Sequence, residues 1–242
     1  MANALRILIT GANRGLGLEL TRQYAARGER IFAACREPDA AKELRKVESE
    51  HRDRVTIVGL SVSDAESILH AHKAVAAHVD ALDLLINNAG VYSSTVTSSG
   101  EPGEKLGALE FDGALHVLRT NAIAPLLVAQ AFLDLLKRGR SPKLVNITSG
   151  YGSVSGNTGF PYYYAASKAA LNMYMRSFAA DAGANPVTTI LMNPGWVRTD
   201  MGTSAAPLSP AESVGGMIQV IDKLTPADNS RFLNHAGDEE AW

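Results

Sequence analysis

The strongest constraint on this chain is an alternation of two kinds of segment. Short runs of β-branched or apolar residues recur at Leu5–Ile9, Ile31–Ala34, Val55–Val58, Leu82–Ile86, Lys143–Ile147 and Val187–Leu191. Each is too short for a helix and too apolar for a strand with one face in water, which fits a parallel sheet covered on both sides. Between them lie the Ala-, Leu- and Glu-rich segments Gly15–Arg27, Ala40–Glu50, Asp64–His78, Phe111–Lys137 and Tyr162–Ala182, which predict helices. Strand–helix–strand units cross over right-handedly, so residues 1–242 are expected to form a single α/β domain. Its sheet is doubly wound and mostly parallel, with helices on both faces. Two irregular stretches, Tyr92–Gly107 and Gly202–Pro210, read as loops, and a substrate loop is expected near residues 200–210.

Charge and cysteine content narrow the class of partner. Lys and Arg number 23 against 25 Asp and Glu, a net charge of −2, so no global field draws the chain to nucleic acid or an anionic membrane. The lone Cys35 excludes an intrachain disulfide and suits a reducing, cytoplasmic setting. Met1–Thr10 turns polar too early for a signal peptide, and no run approaches the roughly 20 apolar residues of a membrane span.

Ligands of open α/β sheets bind at the carboxyl ends of strands, so the residues following each strand carry the information. After the first strand comes Thr10-Gly11-Ala12-Asn13-Arg14-Gly15-Leu16-Gly17, then a helix. Glycines at such a turn let the backbone approach a pyrophosphate whose charge meets the helix N-terminus. The spacing is G-x3-G-x-G rather than G-x-G-x-x-G, and the bland alternative is a turn without a ligand. The second strand ends Ala34-Cys35-Arg36-Glu37. An acid grips the ribose 2′-hydroxyl of NAD about 20 residues beyond such a turn. Cys35 cannot do this, whereas Arg14 and Arg36 could bracket a 2′-phosphate, which favours NADP. The alternatives are two solvated arginines, with Glu37 reaching the ribose.

Tyr164 and Lys168 stand at i and i+4, on one face of a helix. A free phenol has a pKa of about 10, and a nearby ammonium lowers it, bringing proton transfer within range. Such a pair alone also arises by chance on surface helices. The fifth strand runs into Thr148-Ser149-Gly150, where Ser149 could donate a hydrogen bond to a carbonyl oxygen on which charge develops. No G-x-S-x-G elbow surrounds it, so a hydrolytic nucleophile is not expected. Asn121 precedes Pro125 by four residues, and proline lacks the N–H that would bond the Asn121 carbonyl. A buried carbonyl freed in this way needs a partner, and a water linking Lys168 to solvent is the expectation. The alternative is an ordinary proline kink.

In this order, Thr10–Gly17, Asn87-Asn-Ala-Gly90, Asn121, Ser149, Tyr164-x3-Lys168 and Pro194-Gly-Trp-Val-Arg-Thr199 resemble the classical short-chain dehydrogenase/reductase family. The stretches 164–172 and 193–201 look most like the C-factor and sniffer-type carbonyl reductases. The resemblance implies a Rossmann-type, NADP(H)-dependent oxidoreductase acting on a small carbonyl or alcohol substrate. Tyr164 would be the acid–base group, with Lys168 holding the nicotinamide ribose, Ser149 orienting the carbonyl and Asn121 anchoring a relay water. Gly11, Gly15 and Gly17, within a turn that includes Asn13, Arg14 and Leu16, would cradle the pyrophosphate. Asn87, Ala89 and Gly90 would close the adenosine side. Pro194, Gly195 and Val197 would flank the nicotinamide, and Thr199 would meet its carboxamide. The family places an aspartate and a hydrophobic residue after the third strand, against the adenine; this chain has Ser61-Val62, a shorter and uncharged contact. A homodimer or homotetramer through the long helices is the assembly the resemblance implies.

Other conspicuous residues read blandly. His70, His72 and His78 share a helix without a facing i, i+4 pair, so no metal is expected. Trp196 suits either core packing or a substrate-pocket wall. The contrasting function class is a non-catalytic NADP-binding sensor or interaction protein on the same scaffold.

Overall fold

The computed structural model describes residues 4–92, 104, 106–159, 161–181 and 186–242. Its strands are β1 (Arg6–Thr10), β2 (Arg30–Cys35), β3 (Val55–Gly59), β4 (Leu84–Asn87), β5 (Lys143–Ile147), β6 (Thr188–Asn193) and β7 (Phe232–Asn234). The helices are α1 (Gly15–Ala26), α2 (Lys42–Glu50), α3 (Ala65–Ala76), α4 (Phe111–Leu118), α5 (Ala124–Ala131), α6 (Leu133–Lys137), α7 (Tyr162–Asp181) and α8 (Pro210–Lys223). One seven-stranded sheet runs β3-β2-β1-β4-β5-β6-β7, and every pairing in it is parallel. This is the doubly wound Rossmann-type α/β domain that the alternation predicts. The chain reverses its direction of travel between β1 and β4, and the carboxyl ends of those strands part to open a crevice.

Strand alternation divides the core into two layers. Ile7, Ile9, Ile31, Ala33 and Cys35 pack with side chains of α1, α2 and α8. Leu8, Phe32 and Ala34 face the opposite way, toward α3, α5 and α7. Both faces are dry, which is why the strands read as continuous apolar runs. Each fully buried Ile or Leu contributes roughly 1.5–3 kcal/mol.

At the amino ends of the strands Asp83 is buried and closely paired. It accepts from the Arg6 amide at 2.9 Å, from Arg6 Nε and Nη2 at 3.0 Å, and from the Arg140 amide at 2.7 Å. Burial works to raise the Asp83 pKa, but the Arg6 bonds and these amides hold the carboxyl below its ordinary range.

The expected helix Phe111–Lys137 is in fact three helices. A π turn over Arg119–Ile123 separates α4 from α5, and Phe132 (φ −98°, ψ 5°) separates α5 from α6. The π turn carries Asn121 and stands just before Pro125, so the anticipated disturbance is a widened turn rather than a simple kink. Two elements have no counterpart in the sequence reading, α8 and β7. The helix α8 opens on Ser209-Pro210-Ala211-Glu212, where Ser209 Oγ accepts from the Glu212 amide and Glu212 returns a bond to the Ser209 amide. The three residues of β7 are too few to show a pattern. Of the predicted loop Tyr92–Gly107, positions 93–103 and 105 lie outside the described residues.

Candidate active site

The crevice is a cavity of about 890 Å³ at the carboxyl ends of the strands, within the size range of ligand pockets. Its first wall is the turn between β1 and α1. Gly11 has φ +66°, and a Cβ there would stand 2.9 Å from Ala89 Cα. A Cβ at Gly17 would stand 2.3 Å from the Gly11 carbonyl oxygen, so this glycine allows α1 to close on the strand end rather than lining the cavity. The Arg14 side chain does not cap α1, and the first turn of the helix contains no acid. Its amino end therefore faces the cavity as a positive dipole terminus, with Asn13, Arg14, Gly15 and Leu16 around it. An anion such as a pyrophosphate fits this cradle.

The Asn87–Gly90 stretch divides its labour differently from expectation. Asn87 is buried and absent from the cavity wall; its Nδ2 donates to Asn146 Oδ1 at 2.9 Å and to the Pro125 carbonyl at 3.1 Å. It ties β4 to β5 and to the helix beyond the π turn. Asn88, which the sequence reading passed over, lines the cavity, and its Nδ2 donates to the Thr10 and Gly11 carbonyls at 2.9 and 3.1 Å. Thr10 Oγ1 in turn accepts the Asn88 and Ala89 amides at 3.0 and 3.1 Å. Ala89 and Gly90 do line the cavity.

At the far end of this wall lie Cys35, Arg36, Leu60, Val62 and Ser63. Ser61 is not among them, and its amide donates to Ser67 Oγ at 2.8 Å. Both arginines reach the cavity, but Arg14 is engaged: its Nη1 pairs with Asp200 Oδ2 at 2.8 Å across an exposed gap. Burial pushes the Cys35 thiol up, making it less reactive.

The second wall is α7. Tyr164 and Lys168 lie one turn apart, 8% and 4% exposed, and Ser149 joins them from the turn after β5. Lys168 Nζ donates to the Ile147 carbonyl at 2.8 Å and stands 5.6 Å from the Tyr164 ring centroid. One acceptor leaves two of the ammonium's three donors for the cavity it lines. Burial lowers the Lys168 pKa to about 8. Burial also pushes the Tyr164 phenol up to about 12, opposed by a hydrogen bond with Ser149 and assisted by the Tyr92 and Tyr151 phenols. The expected lowering by Lys168 is thus not what the phenol shows: desolvation dominates, and the pull against it comes from Ser149.

Ser149 is held from both sides by one residue of α7. Thr148 Oγ1 donates to Asn172 Oδ1 at 2.7 Å, and Asn172 Nδ2 donates to the Gly152 carbonyl at 3.2 Å. Asn121 is fully buried and off the cavity wall. Its side chain accepts the Val91 amide at 2.8 Å and donates to the Val91 carbonyl at 2.7 Å and to Ser167 Oγ at 3.0 Å. It pins the segment after β4 to α7, so any relay role falls to its main-chain carbonyl.

The third wall follows β6. Gly195 has φ +77°, and a Cβ there would meet Leu208 Cδ1 at 2.7 Å. Pro194, Gly195, Val197 and Thr199 line the cavity. Val197 bridges Leu208, the Arg198 amide donates to the Leu208 carbonyl at 2.8 Å, and Trp196 Nε1 donates to the Gly202 carbonyl at 2.6 Å. Trp196 remains 55% exposed, so it belongs to the cavity wall and not the core. The Tyr92 and Tyr151 rings stand 4.9 and 6.2 Å from the Tyr164 ring, giving this end of the cavity an aromatic rim. Among the described residues no group of three His, Cys, Asp or Glu could hold a metal, and no helix is long and apolar enough to cross a membrane.

Comparison with known proteins bears on this arrangement. A family model described as short chain dehydrogenase matches residues 6–208. The C-signal protein of Myxococcus xanthus is 40% identical over 162 residues, 66% of this chain and 93% of that protein. The NADPH-bound carbonyl reductase from chicken fatty liver superposes with a TM-score of 0.89 at 35% identity, covering 99% of this chain and 100% of that one. Carbonyl reductase Sniffer of D. melanogaster gives 0.88 at 32%, with the same coverage.

Proposed function

Because this chain belongs to the short-chain dehydrogenase family, we propose that it is an NADP(H)-dependent carbonyl reductase interconverting a small carbonyl compound and its alcohol. The observation that carries the reading is the convergence of Ser149, Tyr164 and Lys168 on the cavity that the glycine turn also walls. When bound, the nicotinamide supplies the hydride.

In this reading Ser149 donates a hydrogen bond to the substrate oxygen, and Tyr164 delivers a proton to it. A phenol pushed up to about 12 is fully protonated at neutral pH, the form a reduction requires, and a developing alkoxide is the stronger base. Lys168, still mostly an ammonium at pH 7 with a pKa of about 8, stabilises the phenolate left behind and offers its spare donors to the nicotinamide ribose. Pro125 brings no N–H toward the Asn121 carbonyl, and a water on that carbonyl would return a proton through Lys168. Gly11, Asn13, Gly15 and Leu16 take the pyrophosphate, with Gly17 shaping the turn behind them. Arg36 takes the 2′-phosphate together with Arg14 once Arg14 leaves Asp200. Val62, Ala89 and Gly90 flank the adenosine. Pro194, Gly195 and Val197 flank the nicotinamide, with Thr199 on its carboxamide.

The neighbouring structures with NADPH and the name carbonyl reductase support this choice of cofactor and reaction. The test is a kinetic panel of aldehydes, ketones and quinones with NADPH and NADH, repeated with Tyr164→Phe. Removing a general acid is expected to lower turnover roughly 10²–10⁴-fold while NADPH binding persists. Turnover that survives in Tyr164→Phe would rule out the mechanism, and a wild-type protein that binds NADPH but reduces nothing would favour the sensor.

A further inference from the structure

Glu104 has no part in the assignments above, yet it is one of the most buried charged residues among those described, 1% exposed. Its Oε2 accepts the main-chain amides of Tyr163 at 3.1 Å and Tyr164 at 3.5 Å. The first amides of a helix have no partner within it and form the positive end of its dipole. The first turn of α7 contains no acidic residue of its own. Glu104 supplies that anion from 59 and 60 positions earlier in the chain.

The arrangement is a costly way to cap a helix. Glu104 Oε1 is buried without a hydrogen-bond partner among the described residues. Burial pushes its pKa above the usual carboxylate range, against the pull of the two amides. A local Ser or Asp would cap the helix without burying a long-range charge. What Glu104 adds is a tie between two distant segments, and a second tie lies beside it. Tyr163 Oη donates to the Glu110 carbonyl at 3.0 Å and accepts the Glu110 amide. Glu104 and Glu110, both shortly before α4 in the chain, are therefore each fastened to the turn of α7 that carries Tyr164.

We propose that Glu104 is a positioning residue for Tyr164, holding the first turn of α7 so that the phenol stays aligned with Ser149. The inference rests on the reading of Tyr164 as proton donor. Its test pairs amide hydrogen exchange at Tyr163 and Tyr164, which needs no turnover, with kcat and NADPH affinity in Glu104→Ala and Glu104→Gln. In Glu104→Ala, exchange at those two amides rises and kcat falls, each by about ten-fold, with the NADPH Kd within about two-fold of wild type. Glu104→Gln keeps an acceptor oxygen and recovers both to within about three-fold. Glu104→Met, of similar volume but without an acceptor, repeats the comparison if alanine unfolds the helix end.

Unchanged exchange in the alanine and methionine variants overturns the proposal, as does a glutamine variant no better than alanine. A loss of NADPH affinity in step with kcat also overturns it, since that marks a general structural defect. Failure of the Tyr164 reading shows separately, as a Tyr164→Phe enzyme that still turns over.

Discussion

The two ends of the sheet treat buried charge in opposite ways. At the amino end Asp83 is saturated, by the Arg6 guanidinium and by amides of Arg6 and Arg140. At the carboxyl end Lys168 is equally buried, but its ammonium has one main-chain acceptor and no carboxylate partner among the described residues. A compensated buried charge holds structure in place, whereas an undercompensated one is unfavourable for folding and available to a ligand. The sheet thus keeps its fastening and its proposed chemistry at opposite ends of the strands.

Substitution at each end should separate these roles. Lys168→Met is expected to lower turnover roughly 10²–10⁴-fold without loss of stability, as read by steady-state kinetics and chemical denaturation. Asp83→Ala should do the reverse. Leaving the Arg6 charge unpaired destabilises the fold by roughly 3–5 kcal/mol, while the KM values of the remaining folded enzyme stay near wild type. An Asp83 variant with a selective kcat defect would dissolve the contrast.

The pH dependence of stability sharpens the comparison further. Lys168 titrates at about 8 in the folded chain, below its ordinary value, so above that pH the unfolded state binds more protons. Wild type should therefore gain stability relative to Lys168→Met as pH rises from about 8 toward the ordinary lysine value, about 10.4. Tyr164 has the opposite sign. Its phenol, raised to about 12, contributes stability below the ordinary tyrosine value that is lost as pH climbs through the folded one. Asp83, held low, contributes stability above the ordinary carboxylate range that is lost as pH falls through its folded value. The smallest effect belongs to the exposed Arg14–Asp200 pair. Asp200→Asn should change stability by less than about 1 kcal/mol and tighten NADPH binding slightly, measured by fluorescence titration, by releasing Arg14.

Legibility in the sequence followed the range of the interaction. The alternation of β1 to β6 was readable because both faces of those strands are dry. Tyr164, Lys168 and the glycine turn were readable because each is a local spacing with a local geometric consequence. The exchange of roles between Asn87 and Asn88 was not, since it depends on which way the last residue of β4 faces relative to β5 and the Pro125 carbonyl. Glu104 and the Arg14–Asp200 pair join segments far apart in the chain, and no one-dimensional pattern marks them. The phenol's elevated pKa was missed for a related reason. The lysine's proximity is visible in the spacing, but the depth of burial that raises the phenol's pKa is not.

The π turn at Arg119–Ile123 has a consequence for how tightly this stretch is counted. One surplus residue shifts the phase of all that follows by roughly 100°, the angular step of a helix with 3.6 residues per turn. With that offset α4 packs on α7, while α5 beyond it meets both α3 and α7. Deleting any residue of the turn would put the two helices back in phase and one of them out of register with its neighbour. The segment therefore tolerates exchange of side chains better than a change in their number.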